Sequence, residues 1–446
     1  MDEFKFRPSF IDLPAVSSFE GSVTLPGSKS ITNRIFLIAA LARGTTQLHN
    51  LLKSDDTRYM GQALKTLGVE IDFFDDCSEA VVVGKAGSIN NSDKGIPFDL
   101  YPEKPVELFL GNAGTAMRSL CAALTLGKGS VILRGEERMK ERPIRDLVDA
   151  LCSIGADISY EESEGYPPVA INARGLRGGD VEVKGNISSQ YLTALLICAP
   201  YCREPLNIHV NGELISKPYV ELTLDVMKSF GIEVEHKDMT DFYVPCGVYD
   251  SPGEFTVEGD ASSASYPLAA AAISGGKLRV IGVGKKSRQG DVAFANVLAQ
   301  MGARITWGDD FIECEGVPGK LHSLGAFNAV NIPDAAMTVA VLALFADAPM
   351  TIEGIASWRV KETDRIAAMA AELRKVGAEV RETMDSITVY PPAEFKAATI
   401  ETYNDHRMAM CFSLVSLCGV PIRIMDPACV NKTYPNFFDD FKRLSR

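Results

Sequence analysis

The sequence predicts an α/β (α+β) protein of two similar domains, each of three βαβαββ-type repeats with helices inside and sheets outside. Three observations predict this. A polar turn of small residues, an Ala/Leu-rich helix and a strand recur in that order six times, with starts about 70 to 85 residues apart. A second helix alternates with the first and ends in a glycine before a β-branched strand, as in Leu147 to Ile154 before Gly155-Ala156-Asp157-Ile158. Stretches such as Ala264 to Ile273 and Ala336 to Phe345 are apolar on nearly every side, the pattern of helices buried within a domain. The 446 residues exceed one ordinary core. The expected domains are 27–258, and a discontinuous partner made of 1–26 and 259–446.

The first repeat opens with Pro26-Gly27-Ser28-Lys29-Ser30-Ile31-Thr32-Asn33-Arg34. Gly27 permits a tight turn, and Ser28 or Ser30 can cap the helix running through Ile35 to Leu41. A helix N-terminus with hydroxyls is an anion site, Lys29 adds a charge, and Arg34 shares a helical face with Ser30. The layout returns at Asn112-Ala113-Gly114-Thr115-Ala116-Met117-Arg118, at Gly185 to Tyr191, at Gly259-Asp260-Ala261-Ser262, at Ile332-Pro333-Asp334, and at Tyr403-Asn404-Asp405-His406-Arg407. Second-type helices precede Gly68, Gly155, Gly231, Gly302 and Gly377, and a sixth runs from Asn436 to Leu444. A strand near Ser22 to Leu25 is expected to complete that last unit from the N-terminal end.

Repeated helix starts are where function should lie. Ser, Thr, Asn and Asp there are also what caps prefer, which accounts for about half of the candidates. Caps do not account for Lys29, Arg118 and Arg407, because cations oppose the helix dipole, and a bound anion resolves the conflict. Two further basic segments lie between repeats. Arg138, Lys140 and Arg142 crowd a loop in which Pro143 is expected to open a helix. Lys361, Glu362 and Arg365 precede another helix, and by themselves read as surface ion pairs worth at most about 1 kcal/mol.

Composition narrows the classes. Lys+Arg 45 against Asp+Glu 58 gives −13, which disfavours nucleic acid and anionic membranes as partners but permits small anions in a local basic cleft. The ten cysteines contain no C-x-x-C and read as reduced, mostly buried thiols, and the five histidines show no ligand spacing, so no metal is expected. No apolar run approaches the roughly 20 residues of a membrane span, and the first residues lack a targeting signature, so a cytoplasmic protein is expected. Gly27 to Ser30 lacks P-loop spacing, Gly282-Val283-Gly284 lacks a third glycine, and no G-x-S-x-G occurs.

The motifs LPGSKSITNR, LGNAGTAMR, RMKERPI, SSQYLTALL, GELISKPY, GDASSASY, IPDAAMT, WRVKETDR and YNDHRMAM together resemble the EPSP (5-enolpyruvylshikimate-3-phosphate) synthase family over nearly the whole chain. The resemblance implies an enolpyruvyl transferase-like fold that closes on substrate. It implies transfer of the enolpyruvyl group of phosphoenolpyruvate (PEP) to the 5-hydroxyl of shikimate 3-phosphate, with release of phosphate through a tetrahedral intermediate. By matching motifs, shikimate 3-phosphate would be held by Lys29, Ser30, Arg34, Ser188, Ser189, Gln190, Ser216, Tyr219, Asp334, Ser357 and Lys361. PEP would be held by Lys29, Asn112, Gly114, Thr115, Arg142, Gln190, Glu362, Arg365, His406, Arg407 and Lys432. Asp334 is the expected base at the hydroxyl, Glu362 the proton shuttle at the methylene, and Lys29 assists. No metal or organic cofactor is implied, and a monomer is the family expectation. Two positions depart from the pattern: Ser119 stands where the family usually has Pro, which bears on the PEP-competitive herbicide glyphosate, and Ser357 where it often has Asn. The sister family, UDP-N-acetylglucosamine enolpyruvyl transferase, typically carries a reactive loop cysteine, and none lies in Arg138 to Arg142.

Overall fold

The computed structural model describes residues 8–74, 77–86, 105–317 and 319–446. The chain separates into two units, Gly27–Val257 and a discontinuous one of Met1–Pro26 with Glu258–Arg446.

Gly27–Val257 contains α1 (Lys29–Leu41), α2 (Asp55–Thr66), α3 (Gly114–Leu124), α4 (Arg145–Ser153), α5 (Ser189–Cys198) and α6 (Lys217–Ser229). Hydroxyls start several of them. Ser28 accepts from the Ile31 N–H at α1, Ser188 from the Gln190 N–H at α5, and Ser54 with Thr57 closes a reciprocal box at α2. Helices α1, α3 and α5 are buried nearly all round, whereas α4 buries only the face of Leu147, Val148, Ala150 and Leu151. Alternate helices end where Gly68, Gly155 and Gly231 take φ of +82°, +105° and +82°, a conformation that side chains resist.

Three four-stranded sheets flank these helices and share one order. The strand after each first-type helix pairs in parallel with one neighbour and antiparallel with the other, as Gly129–Arg134 does with Val106–Phe109 and Val169–Ala173. Ile158–Tyr160 completes that sheet. The first sheet takes its parallel neighbour from the far end of the unit, where Glu254–Thr256 joins Thr45–His49. The unit therefore closes on itself in sequence. Among the described residues, its buried apolar side chains from Ile31 to Val257 form one cluster.

The discontinuous unit repeats the plan with α7 (Ala261–Ser274), α8 (Phe294–Gln300), α9 (Ala336–Leu342), α10 (Arg365–Lys375), α11 (His406–Ser413) and α12 (Phe437–Leu444). Asp260, Asp364 and Asp405 cap α7, α10 and α11. Burial covers α7 from Ala261 to Ala272 and all of α9, as their apolar sequences require. The N-terminal strands differ from expectation. Gly21–Thr24 does not complete the last unit; it pairs in parallel with Lys277–Ile281 in the sheet that follows α7. The last sheet is completed by Phe10–Leu13, antiparallel to Ile422–Met425, and has three strands among the described residues. The physical reason is periodicity: Gly21–Thr24 supplies the strand that α7 would otherwise lack upstream, as Glu254–Thr256 does for α1.

Two smaller expectations also change. Pro143 does not open a helix, because α4 begins at Arg145 after Ile144, and the Pro143 carbonyl instead accepts bonds from Arg118 Nη2 and the Tyr191 hydroxyl. All ten cysteines are free thiols, but only five are buried; Cys77 and Cys152 are exposed. Burial pushes the Cys121 and Cys411 thiols up to about 12. Among the described residues, no helix is long and apolar enough to cross a membrane, and no group of three His, Cys, Asp or Glu could hold a metal ion.

Candidate active site

The starts of the six first-type helices differ between the units. In Gly27–Val257 they carry neutral residues, Ser28, Ala113 and Ser188, so the positive helix ends are not offset by a capping carboxylate. In the discontinuous unit they carry Asp260, Asp334 beside the Ala335 cap, and Asp405.

In Gly27–Val257, Lys29 is the first residue of α1, and its Nζ lies 3.7 Å from the buried carboxylate of Asp56 on α2. Arg34, one turn on, is buried. Its Nη1 donates to the Ser30 carbonyl (2.9 Å), its Nε to the Thr223 hydroxyl (2.8 Å) and its Nη2 to the Tyr219 carbonyl (3.3 Å). Burial pushes the guanidinium down to about 10, so it stays charged at neutral pH. Those bonds fasten α1 to α6 and bring Ser30, Arg34 and Tyr219 together. Ser216, just before α6, takes a left-handed φ of 56° and makes no capping bond, a conformation costing of order 1–3 kcal/mol that the packed unit must hold.

A second group surrounds the start of α3. Arg142 is buried, and its Nη1 donates to both the carbonyl (2.9 Å) and Oδ1 (2.8 Å) of Asn112. Its buried Nε has no hydrogen-bond partner among the described residues, a charged donor kept dry beside a helix N-terminus. Gly114 makes room for it: a Cβ there would lie 2.4 Å from Arg142 Nη2. Arg118 has a different role from the one its sequence position implies. It donates to the Pro143 carbonyl (2.9 Å) and the Gly114 carbonyl (3.4 Å), so it splints this turn. Of the three loop cations only Arg142 turns inward, because Arg138 pairs with Glu141, and Lys140 with Glu137 and Glu162, at the surface. The third group links Thr115, whose hydroxyl lies 3.4 Å from Gln190 Nε2, with Ser188 and buried Ser189 at the start of α5. At the departure from the family pattern, Ser119 donates its hydroxyl to the Thr115 carbonyl one turn back (2.7 Å).

The discontinuous unit gathers the remaining candidates around Arg365, which is 1% exposed. The surface-pair expectation for Lys361, Glu362 and Arg365 is therefore overturned. Arg365 reaches three carboxylates: Asp405 through Nε (2.8 Å), Glu362 through Nη2 (2.8 Å) and Asp334 through Nη1 (3.2 Å). Arg407 Nη2 binds the other oxygen of Asp334, Oδ2 (2.9 Å), and Lys361 Nζ stands 4.0 Å from Oδ1, the oxygen that Arg365 meets. Lys432 lies 3.8 Å from Glu362, and His406 is fully buried with Nδ1 3.5 Å from Asp405. Four cations thus face three carboxylates. Burial pushes the Asp334 pKa up, but Arg407, Lys361 and Arg365 outweigh it and hold this carboxyl well below the usual range. Burial likewise opposes the charge of Arg365, and Asp405, Glu362 and Asp334 more than restore it.

Supporting residues fix this arrangement. The Trp358 indole N–H donates to the Pro333 carbonyl (2.9 Å), tying the turn before Asp334 to the short helical turn that contains buried Ser357. The Tyr266 hydroxyl accepts from Arg407 Nη1 (3.2 Å). Sequence reasoning missed Asp56, Asp405 and Tyr266 as site residues. Asp405 was hidden by its own cap preference; the signal was a carboxylate directly preceding His406-Arg407. Chemically, the discontinuous unit offers clustered cations for an anion, with carboxylates among them able to exchange protons.

Comparison with known proteins agrees with this chemistry. A family model for EPSP synthase (3-phosphoshikimate 1-carboxyvinyltransferase) matches residues 14–441. A 3-phosphoshikimate 1-carboxyvinyltransferase of Serratia proteamaculans (strain 568) is 56% identical over 437 residues, covering 98% of this chain and 99% of that protein. One from Sulfurovum sp. (strain NBC37-1) is 55% identical over 441 residues, with coverages of 98% and 99%. Among solved structures, the EPSP synthase from Acinetobacter baumannii superposes with a TM-score of 0.79 at 25% identity, covering 98% of both chains. The enolpyruvyl transferase NikO from Streptomyces tendae shares the fold, with a TM-score of 0.76 at 17% identity and 98% coverage of both chains. With its motifs, its repeated fold and these relatives in agreement, the chain belongs to the EPSP synthase family.

Proposed function

We propose that this protein transfers the enolpyruvyl group of PEP to the 5-hydroxyl of shikimate 3-phosphate, releasing phosphate. The reading takes the chain as two three-repeat domains, 27–258 and 1–26 with 259–446. The observation that carries the reading is the buried Arg365 fork on Asp334, Glu362 and Asp405, flanked by Arg407, Lys361 and Lys432. Such a set suits an anion with both phosphate and carboxylate groups, and it keeps carboxylates at hand for proton transfer.

In the proposed reaction the 5-hydroxyl oxygen forms a bond to C2 of PEP while C3 accepts a proton. The hydroxyl proton goes to a base, leaving a tetrahedral intermediate. A proton is then removed from the C3 methyl, the C2–C3 double bond re-forms and the C2–O bond to phosphate breaks. Asp334 is the base at the hydroxyl, and Glu362 delivers and removes the C3 proton. Within Gly27–Val257, Lys29 and Arg142 hold anionic groups at helix starts, with Ser188, Ser189, Gln190, Ser216 and Tyr219 for shikimate 3-phosphate.

The depressed pKa of Asp334 shapes this account. A carboxylate neutralised by three cations is a weak base. An arriving phosphate or carboxylate competes for Arg407 and Lys361, and each cation drawn away raises the basicity of Asp334. The site thus becomes reactive when it is filled. The reading takes the protein as a cytoplasmic monomer that needs no metal or organic cofactor. Initial rates of phosphate release with PEP and shikimate 3-phosphate test it, with Glu362→Gln and Lys29→Met as variants. Turnover lost in both supports the assignment; turnover only with a nucleotide sugar acceptor, or with neither, overturns it.

A further inference from the structure

We propose that Glu372 is a positioning residue for Asp405 and Arg407, acting through a clamp on residues 401–405; this rests on the enolpyruvyl-transfer reading and deepens it. Glu372 lies in α10 and is fully buried, where a carboxylate needs partners. It has three. Lys375 Nζ approaches Oε2 at 2.7 Å, the Glu401 N–H donates to Oε2 at 3.1 Å, and the Tyr403 hydroxyl donates to Oε1 at 2.7 Å. Lys375 also donates to the Thr399 carbonyl (3.2 Å). Every one of these bonds outside α10 falls on the strand Ala398–Ile400 or on the connection that leads from it into α11.

The same connection is gripped a second time. Arg365, the first residue of α10, holds Asp405 through Nε (2.8 Å) and Nη2 (3.4 Å). Arg365 and Glu372 are seven residues apart, two helical turns, so both project from one face of α10 about 10 Å apart. Helix α10 is thus a splint laid along the connection and fastened at both ends. Between the fastenings, Tyr403 and Asn404 both take left-handed φ, 54° and 53°, which side chains adopt only where surroundings impose it. That double twist sets Asp405 as the cap of α11 and directs Arg407 to Asp334. Releasing the Glu372 end lets the twist relax and moves Asp405 and Arg407 together.

The test uses Tyr403→Phe and Glu372→Gln in the full chain. Phe removes one hydroxyl from a residue that is 42% exposed. Gln keeps one acceptor oxygen, presents a donor to the other partner, and removes the charge that Lys375 meets. Each change should raise KM for PEP about tenfold, while KM for shikimate 3-phosphate stays near wild type and Tyr403→Phe leaves Tm near wild type. The double variant should resemble either single one, because both act on one clamp. A purely structural Glu372 would lower Tm and leave KM for PEP unchanged, which overturns the proposal, as do effects that multiply in the double variant. Should Glu372→Gln not fold, Tyr403→Phe alone decides. Amide exchange separates this from the reaction assignment. Tyr403→Phe should speed exchange at residues 401–407 whether or not the wild type turns over shikimate 3-phosphate, and unchanged exchange overturns the clamp.

Discussion

Replacing Gly114 with Ala should weaken PEP binding strongly while weakening the fold only slightly. A Cβ at this position would lie 2.4 Å from Nη2 and 2.9 Å from Cζ of Arg142, and 3.1 Å from Nη1 of Arg118, where ordinary contact begins near 3.4 Å. The Arg142 guanidinium must therefore retreat by about 1 Å, since the methyl is anchored to helix backbone. Arg142 Nη1 holds Asn112 at 2.8 and 2.9 Å, and a retreat of that size takes these bonds past hydrogen-bond range. The lost Asn112 bonds involve a charged group and cost the fold about 1.5–3 kcal/mol, and a bound anion that loses one bond to the displaced guanidinium binds about 10- to 150-fold more weakly. Gly114 opens α3 outside the left-handed region, so Ala fits its backbone and favours the helix by up to about 1 kcal/mol. The two effects have opposite signs. Steady-state kinetics at saturating shikimate 3-phosphate should show KM for PEP raised at least tenfold, and a thermal melt should show Tm lowered by only a few degrees. An unchanged KM for PEP, or a Tm lowered by many degrees, would refute the steric argument.

Other predictions rest on the same contacts. Arg365→Leu leaves Asp334, Glu362 and Asp405 without their shared partner and should cost about 3–5 kcal/mol in urea denaturation. Arg43→Ala, which breaks an exposed pair with Asp250, should cost under about 1 kcal/mol in the same measurement. Because the folded-state pKa of Asp334 lies below its ordinary value, its ion pairs stabilise the fold above about pH 4, and that contribution fades as pH falls further. Asp334→Asn should accordingly lower the urea midpoint at pH 7, with the gap from wild type narrowing below about pH 4. Trp358→Phe removes the indole bond to Pro333 and should lower stability by about 0.5–1.5 kcal/mol. It should also reduce kcat, because the turn carrying Asp334 loses a tether.

Much of the architecture was legible because most repeats carry two signals. A hydroxyl or Asp starts the buried helix, and a glycine ends the amphipathic one, as Ser188 and Gly231 do in the third repeat. Helix α7 could be placed inside its unit because Ala269 to Ala272 leave it no polar face. The N-terminal strands were not legible. Gly21–Thr24 and Phe10–Leu13 are both four-residue strands without a pairing signal of their own, and only their partners across the chain decide which sheet each enters. The site was legible as a list of charges at helix starts but not as a set of partners. Arg34, Arg118 and Arg142 look alike in sequence, yet Arg118 bonds backbone carbonyls and Arg142 keeps its Nε without a hydrogen-bond partner among the described residues. Spacing in sequence also made Arg365 read as a surface residue, because the carboxylates that bury it come from 334 and 405, distant along the chain.

The most direct test of the central claim is to follow carbon-13-labelled PEP by NMR in the presence of shikimate 3-phosphate and the wild-type protein. The account predicts an enolpyruvyl ether in which C2 of the former PEP couples through oxygen to the C5 proton of shikimate 3-phosphate, with one inorganic phosphate formed per ether. Formation of pyruvate and phosphate without the ether would contradict it, as would an ether only when a nucleotide sugar replaces shikimate 3-phosphate.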